Sequence, residues 1–299
     1  MSATNVARNV LLRLSVTSTL FVYCSTGDPF PAHFAVAVNT RPSWSSDGDQ
    51  IAYCHQQNDD KQQRASAPKE IWVYSFSTDS SVYWTQGTEP AWSPDGNKLA
   101  YIGADGHLWV ATGPPPSRPS SVAALSGASQ PRWSPDGRQI LIRRSTGSDT
   151  SRFYIVNADG SGLVSTQVEG VSADFLSDGS TLVYAEPDGK RFSTVRWKTL
   201  PHLPVFLASV APDSTQFLCR RPVKGDIGYS RFHQQNLRFW MMSSSGQEQR
   251  AVSDCAGAFC WSPDGEKIVL EREESGAIDL WVLTLSSNHQ DKLLPASES

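Results

Sequence analysis

Six histidines and five cysteines are the residues best suited to bind a metal, and their spacing supports no such site. No Cys-x-x-Cys pair occurs, and Cys255 and Cys260 have no second pair to complete a zinc site. The histidines are not paired at helix spacing, and the His-Glu-x-x-His motif of zinc proteases is absent. We therefore predict no metal and no cofactor, while a Cys255–Cys260 disulfide stays open for an exported chain.

Nucleophilic catalysis finds no support in the local motifs either. A serine hydrolase of the α/β type needs a Gly-x-Ser-x-Gly elbow, and the chain has none. The segment Gly160-Ser161-Gly162 is typical of a turn. Neither a phosphate-binding Walker motif nor Gly-x-Gly-x-x-Gly occurs. We therefore predict no catalytic residue from sequence motifs.

One short motif recurs along most of the chain and determines the predicted fold. Clean copies read Pro-x-Trp-Ser-x-Asp-Gly and end at Gly48, Gly96 and Gly137, and a fourth runs from Phe259 to Gly265. Worn copies cover 173–179 and 208–214. The repeated aspartates are Asp47, Asp95, Asp136, Asp178, Asp213 and Asp264. They are 35 to 51 residues apart, and a period of about 40–45 residues is typical of propeller blades.

Each motif copy is followed by two short apolar runs that read as strands. The runs assigned to second strands are Ile51–Tyr53, Leu99–Ile102, Ile140–Ile142, Leu182–Tyr184, Phe217–Leu218 and Ile268–Leu270. Those assigned to third strands are Ile71–Tyr74, Leu108–Val110, Phe153–Val156, Thr194–Trp197, Leu237–Trp240 and Leu280–Leu283. With a fourth strand, each repeat makes one blade. The prediction is an all-β fold, a β-propeller of six four-stranded blades, with seven blades as the alternative.

The motif residues have physical roles in such a blade. A tight hairpin needs positive φ at its central residues, which Asp-Gly supplies, and the carboxylate can accept bonds from the turn amides. The tryptophan offers a large apolar surface for packing between neighbouring blades. The fifth copy has Val210 and Ser214 in place of Trp and Gly, so we expect the fifth blade to be the least regular. The repeated carboxylates could attract cations, but a turn role explains each of them.

The motif, with its following Leu/Ile-Ala-Tyr strand, resembles the repeat of TolB-type propellers across roughly residues 40–295. The turn Asn157–Gly162 is similar to the one after the third strand of that repeat. Related blades occur in the propellers of prolyl-oligopeptidase-like peptidases. The resemblance implies a propeller that binds a protein or peptide, although we expect no room beside the repeats for the extra N-terminal domain of TolB. An enzyme, lyase or hydrolase, with residues at the central channel, and an orphan peptidase propeller are the alternatives.

Two long polar segments suggest a binding surface. They replace the short loop between second and third strands, at His55–Lys69 in the first blade and at Arg220–Asn236 in the fifth. Equivalent loops emerge on one face of a propeller, and extra loops on one face often mark its binding surface. The predicted partner-binding residues are His55, Gln56, Lys61, Arg64, Arg220, Arg221, Lys224, Tyr229, Arg231 and His233. The second segment is basic and suits an acidic peptide or anion, while mobile insertions without function are the alternative.

Charge and the N-terminus complete the sequence predictions. The net charge is −4 and the pI about 5.9, without the basic patch of a nucleic-acid-binding protein. We predict residues 26–299 as one propeller domain and residues 1–25 as a signal or anchor segment, or an extra strand. No apolar stretch is long enough for a transmembrane helix. The prediction is a monomer, either exported to the periplasm or cytoplasmic.

Overall fold

The computed structural model describes most of the chain and contains strands but no helix in the described ranges. Those ranges are 11–14, 20–23, 38–56, 67–113, 120–123, 125–145, 151–187, 193–199, 206–207, 215–220, 226–233, 236–243, 247–254, 257–274, 277–286 and 289–292. The all-β prediction is therefore confirmed for this part of the chain. With no helix there, the described residues also hold no helical membrane span.

The chain divides into two compact units, Met1–Phe34 and Ala35–Ser299. In the first unit, β1 (Leu11–Leu14) pairs antiparallel with β2 (Leu20–Tyr23). These two strands form a hairpin of their own within residues 1–25. Residues 24–37 lie outside the described residues.

In the second unit, the described strands form six four-stranded antiparallel meanders, which we call A to F in chain order. Meander A comprises β3 (Val38–Trp44), β4 (Gln50–Gln56), β5 (Glu70–Ser75) and β6 (Ser80–Gln86), and B comprises β7 (Thr88–Trp92), β8 (Lys98–Ile102), β9 (Leu108–Thr112) and β10 (Ser120–Ala123). Meander C comprises β11 (Ala128–Trp133), β12 (Gln139–Ser145), β13 (Ser151–Asn157) and β14 (Val164–Gly170), and D comprises β15 (Ser172–Phe175), β16 (Thr181–Pro187), β17 (Ser193–Thr199) and β18 (Phe206–Leu207). Meander E comprises β19 (Thr215–Arg220), β20 (Ile227–His233), β21 (Asn236–Met242) and β22 (Arg250–Asp254), and F comprises β23 (Phe259–Trp261), β24 (Lys267–Glu274), β25 (Ala277–Thr284) and β26 (His289–Lys292).

The meanders contact one another through their first strands. Each first strand contacts the first strand of the next meander, and β23 of meander F contacts β3 of meander A. Meanders B to E are separate sheets, whereas F and A join in one eight-stranded sheet through a parallel pairing of Ile278 with Val38.

The repeated Asp-Gly motif forms the turn between first and second strands. In meander C, Ser134 Oγ donates to Asp136 Oδ1 at 2.6 Å, and the same carboxylate oxygen accepts from the Arg138 amide at 3.1 Å. Ser134 Oγ in turn accepts from the Gln139 amide at 2.9 Å. Gly137 has a φ of 70°, but Asp136 is not among the residues with positive φ. The expectation of positive φ at both central residues is thus wrong, because the four-residue turn needs it only at its last residue.

Turns of neighbouring meanders adjoin one another. A Cβ at Gly137 would lie 3.7 Å from Pro94 Cδ, and one at Gly179 would lie 3.8 Å from Pro135 Cδ. Likewise, a Cβ at Gly48 would lie 3.9 Å from Pro263 Cδ. We call the end of the meanders that carries these turns the turn end, and the opposite end, where second strands finish, the loop end.

Replacing Asp136 with alanine should lower the free energy of unfolding by about 1 kcal/mol, because two hydrogen bonds within the turn are lost. The Ser134 hydroxyl and then the Arg138 amide lower the pKa of Asp136 below its ordinary value. Because its pKa is lowered, the Asp136 carboxylate stabilises the fold at pH values above its pKa in the unfolded chain. This stabilisation is lost as the pH falls through its pKa in the folded protein. Urea denaturation at neutral and strongly acidic pH should therefore show a smaller cost of the substitution in acid. An equal cost at both pH values would contradict this role.

The motif tryptophans pack between meanders, as predicted. Trp133 of meander C is buried and donates from Nε1 to the Ala91 carbonyl of meander B at 2.9 Å. Trp261 of meander F lies 5.8 Å, centroid to centroid, from Phe239 of meander E. The apolar core therefore sits at the contacts between neighbouring meanders as well as within them.

Meander E differs from the prediction by one strand. Phe217–Leu218, assigned to a second strand, belongs to the first strand β19, and the presumed insertion Arg220–Asn236 contains the second strand β20. The worn motif at 208–214 lies outside the described residues. A Cβ at Gly228 of β20 would lie 2.8 Å from both Phe239 Cε2 and Phe259 Cε2. This strand was missed because a glycine, which lets the backbone approach two aromatic rings, interrupts its apolar pattern.

Candidate functional site

The predicted partner-binding residues fall into three groups in the structure. His55 and Gln56 end β4, Arg220 ends β19, and Tyr229, Arg231 and His233 lie in β20, while Lys61, Arg64, Arg221 and Lys224 lie outside the described residues. The two polar segments lie only partly at the same end of the meanders. The connection after Gln56 joins second and third strands at the loop end, whereas the one after Arg220 joins first and second strands at the turn end. His233, at the end of β20, does lie at the loop end.

Tyr229 is a core residue and not a loop residue. Its side chain is 0 % exposed and packs among Val183, Ile227 and Met242. Its hydroxyl donates to Gln249 Oε1 at 3.2 Å. The prediction that Tyr229 contacts a partner is wrong for this reason, because a side chain without exposed surface cannot reach one.

His55 and Gln56 lie at the loop end but bond within the chain. Asn39 Nδ2 donates to Asp279 Oδ1 at 3.2 Å, which fixes the amide so that Asn39 Oδ1 faces His55 Nδ1 at 2.8 Å. Nδ1 therefore carries a proton. Burial lowers the pKa of His55, and the nearby Glu70 carboxylate opposes that shift. The Asn39–Asp279 bond links meander A to meander F. Gln56 Nε2 donates to the Ala67 carbonyl at 3.1 Å.

An open groove lies at the loop end between meanders E and F. Its volume is about 360 Å³, and its lining residues are Arg238, Ala251, Val252, Ser253, Asp254 and Arg272. Arg238 Nε donates to Asp254 Oδ1 at 2.9 Å, and its terminal nitrogens have no hydrogen-bond partner among the residues that the structure describes. The guanidinium carbon of Arg272 lies 4.7 Å from the centroid of the Trp281 ring. Two arginines thus line one groove, an arrangement suited to carboxylates.

A second polar cluster sits where the first strands of three meanders meet. Arg41, Glu89 and Gln130 each directly precede the motif proline, and each has a positive φ, of 55°, 55° and 51°. The strand ladder shifts register at each of these positions, as in a β-bulge. A positive φ costs a residue with a side chain roughly 1–2 kcal/mol. The same strained position in three meanders indicates that neighbouring contacts hold it.

Carboxylates from adjacent meanders supply those contacts. Glu271 Oε1 accepts from the Arg41 amide at 2.7 Å, and Glu89 Oε2 accepts from the Gln130 amide. Arg41 Nε lies 3.7 Å from Glu89 Oε1. Burial works against the charge of Arg41, but Glu89 and Glu271 together raise its pKa. Burial raises the pKa of Glu271, although Arg41 opposes the shift.

Arg143 of β12 lies beside this cluster and is partly buried. Its Nε is buried and has no hydrogen-bond partner among the residues that the structure describes. Burial lowers the pKa of Arg143, the Glu89 carboxylate raises it, and the Arg41 cation lowers it. Within the described part of the chain, no group of three or more His, Cys, Asp and Glu side chains is placed to hold a metal ion.

Sequence reasoning missed this cluster, although two weak patterns pointed to it. Arg41, Glu89 and Gln130 share one motif position, directly before the proline. Arg143 and Glu271 share another, three residues after the buried isoleucine that follows the Asp-Gly turn. Charged residues at a position that is apolar or small in other repeats indicate a polar site in the interior.

Comparison with solved structures identifies the fold. The chain is similar to the β-propeller domain of the trilobed protease from Pyrococcus furiosus, with 13% identity, a TM-score of 0.60, and 89% of this chain and 98% of that one covered. It is similar to TolB from Acinetobacter baumannii, with 12% identity, a TM-score of 0.64, and 85% and 78% covered. It is also similar to an oligogalacturonate lyase in complex with manganese, with 12% identity, a TM-score of 0.58, and 89% and 80% covered.

No protein-family model and no curated protein matches the sequence. The structural likenesses, at these identities, concern the fold. The described second unit therefore has a β-propeller fold, as the sequence motif predicted.

Proposed function

We propose that the chain is a six-bladed β-propeller that binds an acidic segment of a protein or peptide at its loop end. The six meanders are the blades of this ring. Support comes from the first strands, which contact one another in chain order and return from β23 to β3. The parallel pairing of Ile278 with Val38 and the Asn39–Asp279 hydrogen bond join the last blade to the first.

One observation carries the binding proposal, namely the two arginines that line the groove between meanders E and F. Arg238 lines the groove while its Nε stays bonded to Asp254, which leaves its terminal nitrogens for a ligand. A carboxylate can accept two parallel bonds from such a guanidinium. The aspartate holds the arginine in place, so little side-chain entropy is lost on binding.

The predicted residues around the groove extend the same surface. His233 ends β20 in meander E, next to the strand of Arg238. His55 and Gln56 end β4 in meander A, on the other side of meander F. Lys61, Arg64 and Arg231 remain proposed contacts of the partner. A lyase, a hydrolase and an orphan peptidase propeller stay predictions, and the similar structures include enzymes as well as TolB.

Replacing Arg238 with glutamine should lower the affinity for an acidic peptide by about tenfold or more, because one charge-assisted hydrogen-bonded pair is worth about 1.5–3 kcal/mol. Fluorescence anisotropy with a labelled peptide of repeating Asp-Ser would measure this, with an Asn-Ser peptide as the neutral reference. The double variant with Arg272→Gln should lose more.

Arg152→Gln is the matched control. Arg152 Nε donates to Glu169 Oε1 at 2.8 Å across two neighbouring strands, as Arg238 does to Asp254, but Arg152 does not line the groove. The control variant should bind the acidic peptide like the wild type. Equal losses in both variants, or equal binding of the acidic and the neutral peptide by the wild type, would sink the groove as the partner site.

A further inference from the structure

The groove between meanders E and F follows the outer strand of meander E. Its lining includes four consecutive residues of β22, at positions 251–254, together with Arg238 of β21 and Arg272 of β24. Successive side chains of a strand point to opposite faces of the sheet. A groove that is lined by four residues in a row therefore runs along the edge of the sheet and not across one of its faces.

This edge has no neighbouring strand in the part of the chain that the structure describes. β22 (Arg250–Asp254) is the last strand of its sheet and pairs with β21 alone. The outward N–H and C=O groups of an edge strand have no ladder partner, so another extended chain can pair with them. In peptide recognition of this kind, main-chain hydrogen bonds supply affinity and alternate side chains supply specificity.

A bulge anchors β22 beside meander F. Ser253 lies opposite Phe239 and Ala251 opposite Trp240, so Val252 is the extra residue on the β22 side. The Val252 side chain packs against the core cluster that Phe239 shares with residues of meander F. The backbone of β22 is therefore held in place before a partner arrives, and little of its freedom is left to lose on binding.

The charges beside this edge favour an acidic partner. Among the described lining residues, Arg238 and Arg272 are cationic, and Asp254 alone is anionic. Arg238 Nε donates to Asp254 Oδ1 at 2.9 Å, so this carboxylate offsets one of the two cations. The lining thus carries net positive charge, which a carboxylate of the partner can complement.

The length of the groove suits an extended segment. Four strand residues, as at positions 251–254, span about 10 Å, which three or four residues of a partner strand can match. Side chains on one face of such a strand recur at every second residue. Acidic residues at every second position can thus face the arginines together. An acidic helix bonds its own backbone internally and offers none of it to the edge.

We infer that the acidic partner segment binds as an added strand along β22, with acidic residues at every second position. The inference rests on the proposed function, and it adds the conformation of the partner and the recognition of its backbone. In this arrangement the outward amides of β22 bond the partner backbone, while Arg238 and Arg272 select its carboxylates.

Hydrogen–deuterium exchange of the whole protein, followed by mass spectrometry, tests this inference with a saturating concentration of the Asp-Ser repeat peptide. The outward amides at positions 251–253 should exchange about tenfold or more slowly with the peptide, because a ladder partner protects them. β26 (His289–Lys292), the outer strand of meander F, is the internal control and should not change. Peptide binding that depends on Arg238 without protection of β22 would refute strand addition, yet it would leave the groove as the binding site.

Backbone methylation of the peptide gives an independent test by fluorescence anisotropy. Successive N–H groups of a strand point to opposite sides, so only the Asp set or only the Ser set faces β22. Two peptides, each N-methylated on one set, keep every carboxylate. The affinity of one should fall by about tenfold or more and that of the other by less than about threefold. Equal affinities of the two would overturn strand addition. Failure of the unmethylated peptide to bind would overturn both this inference and the proposed function.

Discussion

Replacing Trp133 with alanine is expected to lower the free energy of unfolding by about 3–5 kcal/mol, the usual cost of truncating a large buried aromatic side chain. Trp133 is 8 % exposed and belongs to a core cluster that joins Ile102 and Val110 of meander B to Ile140 and Ile142 of meander C. The substitution therefore opens a cavity between two meanders rather than within one. Urea denaturation followed by far-ultraviolet circular dichroism would measure the loss.

Two further variants separate the causes of this loss. Trp133→Phe keeps most of the ring but removes the donor to the Ala91 carbonyl, and it should cost about 1–3 kcal/mol. Val82→Ala removes a side chain that is 56 % exposed and should cost less than about 0.5 kcal/mol. If Trp133→Ala costs no more than Val82→Ala, the motif tryptophan does not hold neighbouring meanders together.

Much of the fold could be predicted because the repeat carries its information locally. The turn around Asp136 is built from a serine, an aspartate and a glycine within four residues, and the strands on both sides start at fixed distances from it. A local pattern of this kind can be recognised without knowing what the blade contacts. Meander E lacks the pattern, so its strand at Ile227–His233 was mistaken for a loop and Tyr229 for a surface residue.

The candidate sites could be predicted less well, because they depend on contacts between meanders. Glu271 and the Arg41 amide are 230 residues apart in sequence, and Asn39 and Asp279 are 240 apart. No spacing rule within one repeat brings such residues together. Even His55, which was predicted as a partner contact, bonds Asn39, the residue that links meander A to meander F.

Glu271→Ala is expected to destabilise the protein by about 3–5 kcal/mol, the usual cost of removing one partner from a buried charged contact. The Glu271 side chain is buried, its carboxylate accepts from the Arg41 amide at 2.7 Å, and the bond joins meander F to meander A. Its loss leaves a strained backbone amide without an acceptor and Arg41 with one carboxylate fewer nearby. Chemical denaturation at neutral pH would measure the change.

Glu271→Gln keeps an acceptor for the Arg41 amide and removes the charge, so it should cost less than the alanine variant. Burial raises the pKa of Glu271, so the folded protein binds this proton more tightly than the unfolded chain. The contribution of Glu271 to stability is fully present at pH values below its pKa in the unfolded chain. It is lost as the pH rises through its pKa in the folded protein. Glutamine does not ionise, and the stability of Glu271→Gln relative to the wild type should therefore increase between mildly acidic and neutral pH.

The pH dependence of Asp136→Ala provides a control of opposite sign, since the pKa of Asp136 is lowered and not raised. The loss of stability caused by Asp136→Ala should shrink as the pH falls into strong acid. The stability of Glu271→Gln relative to the wild type should instead increase as the pH rises, and it should do so in a higher pH range. If Glu271→Gln shows the same stability difference from the wild type at every pH, the carboxylate does not titrate on folding. Its bond to Arg41 would then join the first and last meanders by hydrogen bonding alone, without any energetic cost from the buried charge.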